Sequence, residues 1–502
     1  MNPAAVPQAP PDAGWNWKCA WPAVLALTIG LVAINSQSFW IDETMTAKIA
    51  SQATISEWWR TLSSWIGSDT QMPGYMFYIW LWVKIFGCSE WGLRASNLPW
   101  VVLGFLAIPR RQVYYLLALA ASPFLWFYLN EARPYTMQIS ASLILLGSLW
   151  RLLELPSGLN LDDRREKILA GCFCFGLVAL SGSSLLGMIW AGAGLGAALA
   201  AVGWQRTLPL ARRCLPLIIA TGLVLGSLAL YYLWSVKHGN HASPASTGVG
   251  NVLFVSYELA GLAGLGPGRI DIHGAGLKAF WPFLAPLAVD ALVIAAVLFA
   301  GCRIVLKKIP RHVWLGALIA LGTAVLCLLA AGVMKHFSVL GRHFTPLAPC
   351  IFLLVASGLK NFHERGGWRR LLGVSFLLLC LASALSLRFC ERHAKDDYRT
   401  AAAIAIRTNA GGGRVWWCAD GTAGFYYGVP LSQPWSADAA PGQVWLVANP
   451  LEAWMTNKPA PDMVLFSKPE LHDPQGFVGT FLQRNHYQQI KSLPAFTLWR
   501  KN

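Results

Sequence analysis

The stretch "CAWPAVLALTIGLVAINSQSFWIDETM" (19–45) joins about twenty mostly apolar residues to two adjacent carboxylates, Asp42 and Glu43. An apolar run of that length can cross the hydrocarbon core of a bilayer, which is about 30 Å thick. Similar runs recur along the chain as far as Leu387. The pattern predicts a polytopic α-helical membrane protein, and it places the two carboxylates where the first span leaves the membrane.

The composition indicates the same class of protein. Of the 502 residues, 55% are hydrophobic and 13% are charged, whereas soluble globular proteins carry about 25% charged residues. The 11 cysteines are scattered, and their spacing matches neither a zinc site nor a disulfide framework. We therefore expect the cysteines to be small buried apolar side chains.

A net charge of +16 suggests a nucleic-acid partner until its distribution along the chain is examined. From Glu391 onward, 11 Lys and Arg residues nearly balance 9 Asp and Glu residues. The excess lies in short connectors between apolar runs, as the positive-inside rule predicts for cytoplasmic loops, and the sequence shows no basic face interleaved with aromatic residues. The connector residues are Arg110, Arg111, Arg164, Arg165, Lys167, Arg206, Arg212, Arg213, Arg303, Lys307, Lys308, Arg311, Arg365, Arg369 and Arg370.

With these connectors in the cytoplasm, the sequence predicts a cytoplasmic tail (1–18), an uncleaved first span and a transmembrane domain (19–389) of about eleven spans. The apolar stretch 73–87 is 15 residues long, and as a span it would turn the later basic loops outward. We therefore expect it to be an interfacial helix. The predicted spans lie near 19–38, 92–108, 113–129, 134–153, 168–182, 184–203, 213–236, 280–301, 312–334, 343–360 and 370–388.

This topology leaves three pieces outside the membrane: a first outer loop (39–91), a large outer loop (237–279) and the C-terminal part (390–502). In the last, "DDYRTAAAIAIRTNAGGG" and "FVGTFLQRNHYQQI" predict helices among short apolar runs, which is typical of a small α/β domain. The glycine-rich large outer loop predicts a mobile cover over a site. Metal binding by its loosely spaced histidines, His238, His241 and His273, is the alternative; Arg269 is the other polar residue singled out in this loop.

Asp42 and Glu43 admit two interpretations. An ionisable residue at a membrane boundary is costly, which favours a functional role. Asp42 is also a suitable N-cap for a helix that continues as "ETMTAKIA", with Glu43 favourable to the helix dipole. The two roles are compatible.

Two other charged pairs occur on the same side of the membrane as Asp42. Glu90 and Arg94 are four residues apart at the start of a span, which predicts an ordinary stabilising pair. Glu131 and Arg133 occupy a minimal turn between two spans. Such a turn requires no charges, so a functional role and a solvated tight loop both remain open.

A basic cluster precedes a late span on the outer face, against the positive-inside bias: Lys335, His336, Arg342 and His343. It predicts an anionic partner such as a phosphate, and snorkelling to lipid headgroups is the alternative. Carboxylates that activate a hydroxyl and cations that hold a phosphate are the groups that transfer from a phosphorylated lipid requires.

Four segments in this order resemble successive signatures of the GT-C glycosyltransferases: "FWIDETMTAKIA", "MPGYMFYIWLWVKIFGCSEWGLRASNLPW", "SPFLWFYLNEARPYTMQ" and "GRHFTPLAP". The similarity is to the branch of protein O-mannosyltransferases and bacterial lipid A aminoarabinose transferases, and it covers roughly residues 20–150 and 335–390. The C-terminal part also resembles the extracytoplasmic α/β domain of many bacterial members.

The resemblance implies transfer of one sugar from a polyprenyl-phosphate donor to an acceptor on the periplasmic or luminal face. The compact loops and the small outer domain favour a multi-pass protein of the bacterial inner membrane, with the endoplasmic reticulum as the alternative. Asp42 would be the general base that deprotonates the acceptor hydroxyl, or would orient that hydroxyl. Glu43, the second catalytic candidate, would support Asp42 or bind the acceptor. The resemblance assigns Arg342, Lys335, His336, Arg133 and Tyr135 to the donor phosphate, and Gln71, Tyr75, Arg94 and Glu131 to acceptor binding or support.

One departure from the family pattern concerns metal binding. Where the family has His-Pro-Pro-Leu, this chain has Gln71-Met72-Pro73-Gly74, and a glutamine cannot titrate. The sequence also contains no Asp-x-Asp motif. We expect no obligatory cofactor, with a divalent metal as the alternative.

A transporter or flippase of lipid-linked sugars is the alternative function. Such proteins usually show paired halves with interrupted helices, and this sequence shows no internal repeat. A noncatalytic scaffold would not need the loop carboxylates. The sequence leaves open which sugar is moved, and whether the acceptor is a protein, a lipid or a glycan.

Overall fold

A computed structural model describes residues 20–64, 67–155, 163–238, 247–432, 443–448, 450 and 460–501. Within them, a large helical domain is followed by a small domain of helices and strands. This architecture confirms the predicted class, a polytopic α-helical membrane protein with a C-terminal α/β domain. The predicted tail (1–18) and His241 lie outside the described residues.

The α-helices of the described residues are Trp21–Ala33, Ile41–Ala50, Ile55–Ser64, Pro73–Phe86, Glu90–Arg94, Asn97–Ala107, Val113–Ala120, Pro123–Leu129, Tyr135–Glu154, Asp163–Ser183, Leu185–Val202, Trp204–Arg213, Leu215–His238, Val249–Leu259, Arg269–Ala275, Leu284–Lys308, Arg311–Met334, Ala348–Arg365, Gly367–Phe389, Tyr398–Ala410, Gly421–Tyr426, Pro469–His472 and Phe477–Arg484. Short 3₁₀ helices are Ser68–Gln71, Leu262–Gly264, Gly276–Phe283, Gly341–Leu347 and Glu391–His393.

Eight helical segments of the described residues are long and apolar enough to cross a membrane, and they correspond to the last eight predicted spans. The first three predicted spans are shorter or interrupted. The first is a helix of 13 residues, Trp21–Ala33, and the third breaks at Ser122, whose hydroxyl accepts from the Leu125 N–H before a proline at the next helix start. A count of eleven spans therefore stays a prediction.

The stretch predicted to lie at the interface forms the helix Pro73–Phe86, of 14 residues. A proline occupies its first turn, and it ends at Gly87, whose positive φ of 74° favours glycine. Gly74 packs so closely on another helix that an added Cβ would lie 2.7 Å from the Gly182 carbonyl oxygen. The helix thereby supports the first outer loop, because the Asp42 helix, Ile41–Ala50, packs on it.

The C-terminal domain contains one six-stranded sheet with the order β2-β3-β1-β4-β6-β5. Strands β1 to β4 are parallel, whereas β5 and β6 form an antiparallel hairpin at one edge. The strands are β1 (Val415–Cys418), β2 (Leu431–Ser432), β3 (Val444–Leu446), β4 (Met463–Ser467), β5 (Tyr487–Leu493) and β6 (Phe496–Lys501).

One helix in this domain is shorter than predicted. The sequence favoured a helix over the whole of "FVGTFLQRNHYQQI", but the helix ends at Arg484 and the last four residues begin β5. The reason is tertiary, because β5 gains backbone hydrogen bonds from its antiparallel pairing with β6. The helix Tyr398–Ala410 matches its prediction. It packs on the face of the sheet opposite to the helix Phe477–Arg484.

Candidate active site

Asp42 lies in the first turn of the Asp42 helix and forms an ion pair with Arg342, whose position in the sequence is 300 residues later. The Arg342 Nη1 atom is 2.9 Å from the Asp42 Oδ2 atom. The side chain of Asp42 is 29% exposed and that of Arg342 is 30% exposed, so both remain accessible to a ligand. The helix begins at Ile41 with Trp40 as its N-cap, so the prediction that Asp42 is the N-cap is wrong.

Glu43 is the neighbour of Asp42 in sequence but is completely buried. Its carboxylate accepts two hydrogen bonds from Arg94, at 2.9 and 2.7 Å, and one from the Ala132 N–H at 2.8 Å. A third cationic hydrogen bond comes from Lys395 Nζ at 3.0 Å. Burial alone would raise the pKa of Glu43, but the charges of Arg94 and Lys395 outweigh it and hold the pKa at about 2. Glu43 is therefore a charged structural centre beside Asp42.

Arg94 is buried to the same degree and ties the segment before the Asp42 helix to the membrane domain. Its guanidinium donates to the carbonyl oxygens of Asn35, Gln37 and Ser38 as well as to Glu43. The predicted pair between Arg94 and Glu90 is wrong, because these two side chains point to different partners. Glu90 instead accepts from side chains of the C-terminal domain, namely Arg399 at 3.3 Å and Tyr427 at 3.2 Å.

Arg133 binds the backbone of the Asp42 helix. It is buried, and its Nη1 atom donates to the Asp42 carbonyl oxygen and to Thr46 Oγ1, both at 3.1 Å. It also forms an ion pair with the buried Asp69. Burial raises the pKa of Asp69, and the charge of Arg133 opposes that shift. The Arg133 guanidinium is therefore bound to groups of the protein itself.

The other predicted site residues are distributed around this centre. Tyr135 is buried against the Tyr128 ring, with 4.9 Å between centroids. Tyr75 is buried, and its hydroxyl has no hydrogen-bond partner within the described part of the chain. Gln71 ends a 3₁₀ turn and is partly exposed. Lys335 and His336 are exposed in a turn after Arg311–Met334, and within the described residues their side chains make no hydrogen bond or ion pair.

A cavity of about 410 Å³ lies between the helical domain and the C-terminal domain. Glu131 lines it, is 3% exposed, and has its pKa raised by burial. The wall is otherwise mostly aromatic and apolar, with a few basic groups. Its lining includes Trp40, Phe124, Phe127, Tyr128, Tyr257, Arg269, Leu387, Lys395, Phe466 and Lys468.

Sequence analysis missed two residues that organise this region. Glu258 accepts from Arg269 Nη2 at 2.6 Å and from the Gly341 N–H at 3.0 Å, so it fixes the turn that carries Arg342. Lys395 lies in the segment that leads to the C-terminal domain. Neither residue belongs to a recognisable motif. The one signal in the sequence is that Glu258 is an acidic residue within an otherwise apolar helical stretch.

The described residues contain no group of three or more His, Cys, Asp and Glu side chains that could hold a metal ion. In the large outer loop, His238 lies at the end of Leu215–His238, where its ring contacts the Trp234 carbonyl oxygen. The charged groups that the structure brings together at the site are carboxylates, guanidinium groups and the Lys395 ammonium.

Comparison with known proteins shows which solved structures have a similar fold. No family model and no curated protein matches the sequence. The crystal structure of ArnT from Cupriavidus metallidurans in the apo state matches over 96% of this chain and 97% of that chain, with a TM-score of 0.51 and 14% identity. The structure of that ArnT bound to undecaprenyl phosphate gives a TM-score of 0.49 at 14% identity and the same coverage. Arabinofuranosyltransferase AftD from Mycobacteria gives 0.43 at 14% identity, over 97% of this chain and 40% of that chain.

The likeness to apo ArnT shows that the chain shares the fold of that structure, which confirms at the level of fold the resemblance predicted from the sequence signatures. It extends over both domains, since nearly all of each chain is covered.

Proposed function

We propose that this protein is an integral membrane glycosyltransferase that moves a sugar from a polyprenyl-phosphate donor to an acceptor hydroxyl. The reaction would take place on the periplasmic face of a bacterial inner membrane. One observation carries the proposal: an accessible carboxylate, Asp42, forms an ion pair with an accessible guanidinium, Arg342. Trp40, the N-cap of the Asp42 helix, lines the cavity at the domain interface. The GT-C fold and the sequence signatures support the donor class.

In the proposed reaction, Asp42 takes the proton of the acceptor hydroxyl while that oxygen forms a bond to the anomeric carbon of the sugar. The bond from that carbon to the lipid phosphate breaks, and the polyprenyl phosphate leaves as an anion. Arg342 stabilises the negative charge on the leaving phosphate. Glu43 and Arg133 act by holding Asp42 and do not contact substrate, because both are buried and bound to protein groups.

The aromatic and apolar cavity fits a lipid-linked sugar in two respects. Its lining includes Leu387, near the end of a predicted span, which offers apolar surface to a lipid chain. Aromatic rings such as those of Trp40 and Phe127 offer flat faces to a sugar ring. Lys335 and His336, by contrast, are assigned to the donor phosphate only by the sequence resemblance.

The test compares wild type with Asp42→Asn at matched expression, using lipid-linked sugar turnover and donor-lipid binding as separate readouts. Removal of a general base typically costs about 10²- to 10⁴-fold in rate, while the amide keeps the shape of the side chain. Asp462→Asn is the matched control, because Asp462 is an exposed carboxylate of the C-terminal domain. Full turnover in Asp42→Asn would refute the role of Asp42, and translocation of lipid-linked sugar without transfer would favour a flippase.

A further inference from the structure

Lys395 lies at the point where the segment leading to the C-terminal domain meets the active site. Its ammonium donates to the Glu43 carboxylate at 3.0 Å and to the Asn130 carbonyl oxygen at 2.6 Å. The side chain is 12% exposed, and its exposed part lines the cavity. One residue therefore contacts both the support of Asp42 and the space that a ligand would fill.

The hydrogen bonds of Lys395 leave one donor unused. An ammonium group carries three N–H donors, and within the described residues two of them have acceptors. Since the group borders the cavity, a ligand is the available acceptor for the third.

The local charges favour an anionic ligand. Glu43 already has a bidentate partner in Arg94, so it does not need Lys395 for neutralisation. Glu43, Arg94 and Lys395 together carry one negative and two positive charges, a net charge of +1. Glu131 is a further acid of the cavity wall, and burial raises its pKa, which favours its neutral form. Two other basic groups at the cavity differ, because Arg269 is paired with Glu258 and Lys468 with Asp396. Arg388, which also lines the cavity, donates to the Val32 carbonyl oxygen.

We propose that Lys395 is an anion-binding residue of the cavity and contacts the phosphate of the lipid-linked donor. The C-terminal domain would then complete the donor site through the segment that joins it to the membrane domain. This inference rests on the proposed function, because it takes the donor to be a phosphorylated lipid.

The proposal has a signature in pH. Burial lowers the pKa of Lys395 to about 8, with repulsion from Arg94 adding to the shift and attraction to Glu43 and Glu131 opposing it. The charged form that binds an anion is therefore present below about pH 8 and is lost as pH rises through that value. Asp396, the adjacent acid, is occupied by Lys468.

The experiment measures binding of undecaprenyl monophosphate to the full-length protein in nanodiscs between pH 6.5 and 9.5, with undecaprenol as the neutral lipid. We expect wild-type affinity for the phosphate lipid to fall as pH rises through 8, whereas affinity for undecaprenol stays constant. Lys395→Met should lose about 10-fold in phosphate-lipid affinity at pH 7, since a hydrogen bond to a charged group contributes about that factor or more. Lys395→Arg should keep the affinity and remove its pH dependence, because an arginine does not titrate in this range.

Lys491→Met is the matched control, because Lys491 is an exposed lysine on β5. Unchanged phosphate-lipid affinity in Lys395→Met, or an equal loss for undecaprenol, would overturn the proposal. Lost turnover with intact phosphate-lipid binding would also overturn it, since Lys395 would then act only by positioning Glu43. If wild type itself binds no phosphate lipid, the proposed function fails first. A tryptophan-fluorescence unfolding curve for each variant separates loss of binding from loss of fold.

Discussion

Replacement of Arg94 by methionine is the perturbation that tests the structural centre of the site. In the wild type, six hydrogen bonds leave this guanidinium, two of them to the Glu43 carboxylate. Methionine fills much of the space but leaves the buried carboxylate with Lys395 as its remaining cation. Breaking a buried ion pair on one side costs about 3–5 kcal/mol. The remaining partner reduces that cost, so we expect a loss of about 3 kcal/mol in the free energy of unfolding.

The assay is equilibrium unfolding in mixed detergent micelles with SDS as the denaturant, followed by fluorescence of the 25 tryptophans. Arg399→Met is the matched control. Arg399 forms an ion pair with Glu90, which lies in the same helix as Arg94, but Arg399 is 52% exposed. An exposed pair contributes about 0–1 kcal/mol. The double variant Glu43→Gln/Arg94→Met should lose less than the sum of its single variants, since both remove one interaction.

The reasoning would be refuted if Arg94→Met unfolded within about 1 kcal/mol of wild type, the range of an exposed pair. It would also be refuted if the losses in the two single variants simply added. Either result would mean that the Glu43 carboxylate is stabilised by contacts other than Arg94.

Two further predictions concern the same centre. The difference in unfolding free energy between wild type and Glu43→Gln should be largest above pH 4.5 and should shrink as pH falls toward 2, by about 3 kcal/mol in total. The reason is that the folded state lowers the pKa of Glu43 to about 2. A difference that stays constant as the pH is lowered would contradict this prediction. Gly341→Ala should reduce turnover at least about 10-fold with little loss of stability, since an added Cβ would lie 2.3 Å from a Glu258 carboxylate oxygen and must displace the turn that carries Arg342. Gly250→Ala, at a position with no atom within 4 Å of an added Cβ, is the control for kinetic assays of this variant.

The sequence by itself determined the class of the protein and the approximate place of the site. Apolar length and the distribution of basic connectors are local properties, and the last eight predicted spans each appear as one helical segment. The signatures that contain Asp42 and Arg342 also predicted a resemblance in fold, and the chain shares the fold of apo ArnT. The exceptions are local ones overridden by packing, such as the predicted helix whose last residues pair as β5.

Only the tertiary structure decided the partners of each charge. Successive residues on a helix point about 100° apart, so Asp42 remains accessible while Glu43 is completely buried. Which side of the helix is covered depends on Arg94, the Ala132 backbone and Lys395, which come from three distant parts of the chain. The spacing of charges along the sequence favoured a pair between Arg94 and its neighbour four residues earlier, but a desolvated guanidinium is stabilised most by a carboxylate buried at the same point. Burial is a property of the assembled fold, and for that reason the electrostatics of the site could not be deduced from motif and spacing.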